Sequence, residues 1–202
     1  MERNPKNINR KQKTLFSASQ SYMYKSYQHR VFGHPLYLLV VDERVVGCSF
    51  SHKKHLQAMQ AFFYEQPSPD LSYELLPRQF QLPLTNYLTG KSKVLDWPRD
   101  DLLLLRGSPF QRMVWKHIAT ISYGETCCYG DIARQMGGRK YARAVGGACN
   151  TNPLALLIPC HRAIARSGKL AGYRWGRTRK QAILAWEAAR HEASGQPAEP
   201  SN

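Results

Sequence analysis

A thiol and an imidazole stand side by side at Cys160-His161, where the apolar run Leu156-Leu157-Ile158, which reads as a buried strand, is closed by Pro159. A free cysteine titrates near pH ~8.5 and is only a few per cent thiolate at neutrality, so a nucleophilic cysteine needs a base. His161 is the nearest base, and Glu187, on a helix expected over 179–190, is a candidate to orient its ring. Neighbouring side chains of an extended segment point to opposite faces, which makes a direct sulfur–imidazole bond awkward. Either the chain bends sharply after Pro159 or a water molecule relays the proton. On these residues alone, a buried cysteine beside a satisfied histidine competes with a catalytic pair.

The elements that must position this pair can be read from hydrophobic period and turn residues. Ser108-Pro109 is an N-cap followed by proline at the first helical position, and FQRMVWKHIATI continues as an amphipathic helix. Downstream, TCCYGDIARQMGG and RKYARAVGGACNTNP predict helices over about 130–136 and 140–149, separated by Gly137-Gly138. Two short helices joined by a glycine turn suggest a helix-turn-helix. The second of them offers small side chains and one arginine, Arg143, in place of the residues that read base edges in the major groove. Small residues let a helix backbone approach a sugar-phosphate wall or enter a narrow groove, where a long arginine could probe the base stack. A tightly packed internal helix with one solvent-facing arginine fits the same letters.

Upstream, PLYLLVVDERVVGCSF over 35–50 gives two β-branched runs around Asp42-Glu43-Arg44, a hairpin signal. HKKHLQAMQAFFYEQ has helical spacing and stops before Pro67. A second helix is predicted over 75–88 with an interruption near Pro83, and KVLDW over 93–97 reads as a short strand. The chain divides into a flexible basic arm (1–30), an N-terminal α/β domain (31–105), a C-terminal domain (106–190) carrying the motifs above, and a flexible tail (191–202).

Lys plus Arg number 29 against 14 Asp plus Glu, a formal charge of +15 over 202 residues. A surplus of that size points to a polyanionic partner. No window approaches the ~20 apolar residues of a membrane span, and the polar start lacks the apolar core of an export signal. Five cysteines without a framework spacing favour reduced thiols and a cytoplasmic setting. No Cys/His set has zinc spacing. Cys48, Cys127, Cys128 and Cys149 are read as small packing residues.

Together, ARAVGGA, the Asn152-Pro153 pair, IPCHR and GYRWG, in this order, closely resemble the O6-alkylguanine-DNA alkyltransferases of bacterial type, over about 107–187, with weaker agreement in LPLTNYLTGK. The resemblance implies an α+β fold: an N-terminal α/β domain of RNase H-like form, then a mostly helical domain with a helix-turn-helix and the PCHR site. It also implies repair of O6-alkylguanine, and of O4-alkylthymine, by irreversible single-turnover transfer of the alkyl group to the protein's own cysteine. Cys160 would be the acceptor, His161 the base acting through water, Glu187 its orienting carboxylate and Asn152 the residue shaping the turn. Tyr129 would help rotate the nucleotide and donate a proton to the leaving base. Arg143 would enter the duplex, with Tyr141, Ala142, Ala144 and Gly146 along the DNA. Leu170, Tyr173, Arg174 and Ala163 would line the pocket, Arg174 through its backbone because some relatives carry serine there. No cofactor or metal is implied. The partner would be double-stranded DNA carrying O6-alkylguanine, met by a monomer in the cytoplasm near the nucleoid. Two alternatives remain from other classes: a non-catalytic alkylguanine-binding protein of the same fold, and an unrelated Cys-His hydrolase.

Overall fold

The computed structural model describes residues 24–62, 73–97, 107–168, 170 and 172–195. Three antiparallel strands, β1 (Tyr24–Val31), β2 (His34–Val41) and β3 (Arg44–Ser49), open the fold. The hairpin read at 35–50 is the β2–β3 pair, and its turn residues Asp42 and Glu43 both take positive φ, as a two-residue turn matching strand twist requires. Helix α1 (His52–Phe62) then leads to β4 (Tyr73–Leu75), which lies parallel to β1, giving the sheet order β3-β2-β1-β4. β2 is central in this sheet, and Leu36, Leu38, Leu39, Val40 and Val41 are all buried.

Three readings of this half need correction. Residues 24–30, assigned to the basic arm, form most of β1. Tyr27 and Val31 are buried while Lys25, Gln28 and Arg30 are exposed, so the strand looks polar in sequence because one face meets water. The first 23 residues lie outside the described set. The helix placed at 75–88 is α2 (Arg78–Leu88), because Leu75 ends β4 and Pro77 holds an extended conformation as the N-cap. Pro83 sits inside α2 without breaking it. A proline costs a helix interior about 3 kcal/mol, and here buried Phe80, Leu84 and Tyr87 tie the helix to the core on both sides of it. Residues 93–97 form no strand. Ser92 Oγ and the Leu95 carbonyl accept the N–H groups of Val94 and Trp97, and the Trp97 indole donates to the Phe80 carbonyl at 2.7 Å.

In the second half, α3 (Pro109–Ala119) begins at the predicted cap. Ser108 Oγ accepts from the Gln111 N–H at 3.2 Å and Gln111 Oε1 accepts from the Ser108 N–H at 2.7 Å, a reciprocal capping box. The helix-turn-helix follows as α4 (Tyr129–Gln135), a 3₁₀ turn at Arg139–Tyr141 and α5 (Ala142–Asn150). Gly137 and Gly138 make the break at φ of 105° and 137°, a region that favours glycine. Trp115 on α3 donates to the Ala148 carbonyl on α5 at 2.8 Å and fixes their packing. A two-residue parallel ladder joins β5 (Cys127–Cys128) to β6 (Ala163–Ile164). It sets the start of α4 beside the segment that follows Cys160.

The last helix, α6 (Arg177–Gly195), is longer than the one expected at 179–190, so its final turns occupy the first residues assigned to the tail. The two halves meet at the 153–155 loop: Cys48 on β3 donates its N–H to the Pro153 carbonyl at 3.0 Å and accepts from the Ala155 N–H at 2.9 Å. The Trp175 indole donates to Ser49 Oγ at 3.0 Å across the same seam. Among the described residues, no helix is long and apolar enough to cross a membrane.

Candidate active site

Leu156–Ile158 is not the strand that its apolar run suggested. The segment folds as successive turns, with the Leu157 N–H bonded to the Ala155 carbonyl, the Ile158 N–H to the Leu154 carbonyl, and Leu156 at a φ of 68°. A short apolar run has no period that separates a buried strand from a buried turn. Asn152 organises these turns from inside. Its Oδ1 accepts from the Leu154 N–H at 2.8 Å, and its Nδ2 lies 2.8 Å from the Ile158 carbonyl and 3.0 Å from Cys160 Sγ. After Pro159 the chain enters a 3₁₀ turn over Cys160–Arg162. The chain thus bends after Pro159, yet the bend makes no direct thiol–imidazole bond: His161 Nε2 goes to Glu187 and Nδ1 has no partner.

Cys160 is 1 % exposed. Burial pushes its thiol well above the ordinary range, and the neighbouring Cys149 thiol adds to this; Asn152 and Lys180 oppose it. At rest the group is therefore a thiol. His161 is fully buried and its Nε2 lies 2.9 Å from Glu187 Oε1, while its Nδ1 has no partner among the protein atoms. Burial lowers the imidazole below its usual value, so the ring is neutral near pH 7. With Nε2–H donated to Glu187, the free Nδ1 is left as the acceptor.

Glu187 also binds groups that the motif search did not assign. Arg162 grips it with Nε on Oε2 and Nη2 on Oε1, both at 2.9 Å, the Tyr87 hydroxyl donates to Oε1, and the Gly124 N–H reaches Oε2 at 3.4 Å. Burial alone would raise this carboxyl, but the hydrogen bonds of His161 and Arg162 and the Arg162 charge hold it well below the usual carboxylate range. Arg162 was visible in PCHR without a role. Tyr87, on α2, lies within LPLTNYLTGK, the stretch of weaker family agreement, but was given no role. Lys180, fully buried on α6 two turns before Glu187, donates to the Ala163 carbonyl at 2.5 Å and sits 3.5 Å from the Tyr129 hydroxyl. Burial lowers its pKa, and raises that of Tyr129, which therefore stays protonated.

The remaining expected residues fall into two groups. Tyr173 lies edge-on to the His161 ring with centroids 6.4 Å apart, and its hydroxyl is buried without a protein partner. Leu170 is half-buried. The Arg174 guanidinium donates to the Asn150 carbonyl at the C-terminus of α5, a favourable place for a cation, while its own carbonyl accepts from Lys54. The Ala163 carbonyl is engaged by Lys180. On the other side, Tyr129, Ala142, Arg143 and Gly146 line a cleft of about 460 Å³ together with Arg139 and Arg166. Arg143, Ala144 and Tyr141 are exposed. Cys160 is not among the cleft's lining residues, and Tyr129 stands between the cleft and the buried site.

Comparison with known proteins fits this arrangement. Residues 109–189 match the model of the 6-O-methylguanine DNA methyltransferase, DNA binding domain. A methylated-DNA–protein-cysteine methyltransferase of Methanosarcina acetivorans is 39 % identical over 125 residues, covering 62 % of this chain and 78 % of that protein. The chain belongs to the 6-O-methylguanine DNA methyltransferase family. Another family member, from Mycolicibacterium paratuberculosis, is 56 % identical over 108 residues, 54 % of this chain. That match spans 63 % of the relative's length, just under two thirds. The crystal structure of the Mycobacterium tuberculosis O6-methylguanine methyltransferase superposes with a TM-score of 0.67 at 33 % identity, over 88 % of this chain and 97 % of that one. A structure of the same organism's protein in complex with DNA gives 0.66 at 34 %, over 82 % and 94 %.

The Glu187 cluster makes a stability prediction. A carboxyl whose pKa is depressed by folding contributes fully above the ordinary value of about 4.3 and loses its contribution as pH falls below it. Glu187→Gln leaves Arg162 buried without a counter-charge, at a cost of about 3–5 kcal/mol. Urea unfolding at neutral pH should show that loss, and the gap to wild type should narrow between about pH 5 and pH 3. A gap constant over that range would mean that Arg162 does not depend on this charge.

Proposed function

We propose that this protein repairs DNA by taking an O6-alkylguanine out of the duplex and transferring the alkyl group to Cys160. The observation that carries the reading is the pairing of a buried thiol with a neutral imidazole whose Nε2 is fixed by Glu187 and whose Nδ1 is free. Through one water, Nδ1 accepts the Cys160 proton as Sγ attacks the alkyl carbon in line with the bond to O6. The S–C bond forms, the C–O6 bond breaks, and the departing guanine takes a proton from the Tyr129 hydroxyl, so a neutral base leaves rather than an anion. Asn152 holds Sγ in place, and Tyr173 and Leu170 flank the base. The product is a thioether, which water does not cleave under mild conditions, so each molecule reacts once. O4-alkylthymine presents the same alkyl–oxygen bond and falls within the same chemistry.

The target atom lies inside the duplex, and extruding the nucleotide costs a few kcal/mol. Exposed Arg143, on a helix of small residues beside an arginine-lined cleft, suits a role of filling the gap left in the stack. Phosphate contacts from the basic surface would supply most of the affinity without regard to sequence. Double-stranded DNA is thus the proposed partner, bound by a monomer. The non-catalytic alternative lacks an observation in its favour, because the acceptor thiol is present and equipped.

Transfer is tested by incubating the protein with a duplex carrying O6-methylguanine and mapping the peptides by mass spectrometry. One methyl group per molecule on Cys160, abolished in Cys160→Ala, is expected; repeated turnover, or tight binding with the lesion intact, would refute the proposal.

Arg143→Ala should slow repair in duplex DNA by at least about tenfold, an extrusion penalty of ~1.4 kcal/mol or more, while reaction with free O6-benzylguanine changes little. Equal losses on both substrates would remove the stack-filling role.

Gly146 and Gly147 sit in α5, and a Cβ on either would meet nothing within 4 Å. Glycine in a helix costs about 0.5–1 kcal/mol relative to alanine, so packing gives no reason for them. Gly147→Ala should raise stability by that amount in urea unfolding and weaken duplex binding in a fluorescence titration. Unchanged binding would mean that DNA does not approach this face.

A further inference from the structure

The seam between the two halves gathers cations that the transfer chemistry does not use. Lys54, on α1, donates from Nζ to the Arg174 carbonyl. Arg179, in the first turn of α6, donates from Nη1 to the neighbouring Trp175 carbonyl at 2.6 Å. The Arg174 guanidinium donates to the Asn150 carbonyl at the end of α5. Lys54, Arg174 and Arg179 are thus held around one short stretch of chain, all three half-buried, and exposed Arg177 lies between the two arginines in sequence. The first turn of α6 carries no acidic residue, and among the described residues no ion pair joins these cations to a carboxylate. Like charges this close repel: burial, with the charges of Arg174 and Arg179, lowers the Lys54 pKa. Hydrogen-bonding capacity is also left over. A guanidinium has five N–H donors and an ammonium three, and Arg179 Nε is enclosed without a protein partner.

We propose that Lys54, Arg174 and Arg179 form a seat for one backbone phosphate of DNA, so that both halves of the protein hold the duplex. An anion among these groups relieves their repulsion. A guanidinium fork matches two phosphate oxygens, and the ammonium acts as a point charge. Continuity selects DNA as the source of the phosphate. Arg174 is fastened to the last residue of α5, the helix that carries Arg143 near its start. Arg143 and Asn150 stand seven positions apart, about 10 Å along the helix at ~1.5 Å per residue. At ~3.4 Å per nucleotide that is about three steps of a strand. The seat would therefore fix the backbone about three nucleotides from the extruded base, with the duplex gripped at both ends of α5.

The seat rests on the reading of duplex DNA as the partner and not on alkyl transfer. Lys54→Gln and Arg179→Gln remove charge but keep a donor for each carbonyl. With repulsion relieved, the urea midpoint of the double variant should be no lower than that of wild type; a lower one would make the cations structural and overturn the proposal. Binding of an undamaged duplex by the full-length protein is followed by fluorescence titration between about 50 and 200 mM salt. The double variant should bind about tenfold more weakly at the low-salt end, and its slope of log K against log salt should be shallower by about 0.9, the loss of one phosphate contact. Methylphosphonate is then placed at single phosphates of an O6-methylguanine duplex. Wild type should lose affinity when the replacement lies about three nucleotides from the lesion, and the double variant should not respond there. Equal slopes, or no loss at that position in wild type, would overturn the proposal. Inorganic phosphate that stabilises wild type while duplex binding ignores both side chains would also overturn it, making the seat a free-anion site. Duplex binding with the lesion left unrepaired would instead count against the transfer reading, and the slopes would still decide the seat.

Discussion

One buried carboxylate sets the terms for the site. Glu187 is fully enclosed on α6, and an ionised carboxylate in that position is tolerable only if every lone pair finds a donor. Arg162, His161, Tyr87 and the Gly124 N–H supply them, from the 3₁₀ turn, from α2 and from the turn after α3. Arg162 completes the link by donating to the Ile121 carbonyl at 2.7 Å. The two-pronged arginine contact supplies charge and planar geometry together. Because the same carboxylate orients the imidazole, the device that holds the 3₁₀ turn against α6 also decides which nitrogen of His161 is free to take a proton.

A second constraint works from the other side of the sulfur. Asn152 uses its amide on the turn that presents Cys160, leaving Leu156 in a left-handed conformation that a leucine adopts only when its surroundings dictate it. Apolar burial supplies that pressure, since Leu154, Leu156, Leu157 and Ile158 are all buried and the loop is clipped to β3 through Cys48. The nucleophile is thus fixed by polar contacts on the α6 side and by packing against the sheet on the other. Lys180 adds a buried positive charge next to both Tyr129 and the Ala163 carbonyl, joining α6 to the start of α4 and to β6.

Local signals were legible in the sequence, and those that depend on the return of a distant segment were not. Ser108-Pro109, the Gly137-Gly138 break and the β2–β3 turn act within a few residues, and each element begins or ends there. Cys160, His161, Asn152 and Glu187 were placed by motif, and the structure brings all four together. Tyr87 reaches Glu187 from a hundred positions away, and although it lies in the weakly matching LPLTNYLTGK, nothing local tells its role apart from that of buried Leu84. Lys180 had a weak trace, two helical turns from Glu187 and so on the same face of α6. Two errors have one cause. Residues 156–158 and 93–97 are apolar enough for strands, but hydrophobicity reports burial, and partners for the backbone came from turns instead.

The contrast between the two faces of the 129–164 segment bears on how such a protein can work. Inside, Cys160, Glu187 and the His161 Nε2 are held by named hydrogen bonds while His161 Nδ1 and the Tyr173 hydroxyl stay unpaired, an arrangement that suits a reaction whose rate depends on alignment. Outside, α5 presents two glycines, Gly146 and Gly147, that gain nothing from packing, together with arginines around an open cleft. A surface that sacrifices helix stability for smoothness only makes sense if another molecule supplies the contacts, and a polyanion is the one the charge selects. Tyr129 belongs to both faces: its ring borders the cleft while its hydroxyl points towards the Lys180 ammonium and its environment feels both buried thiols. In the proposed reaction, binding outside and chemistry inside would meet at this one side chain, with an extruded base in the cleft next to Tyr129 before it reaches the sulfur.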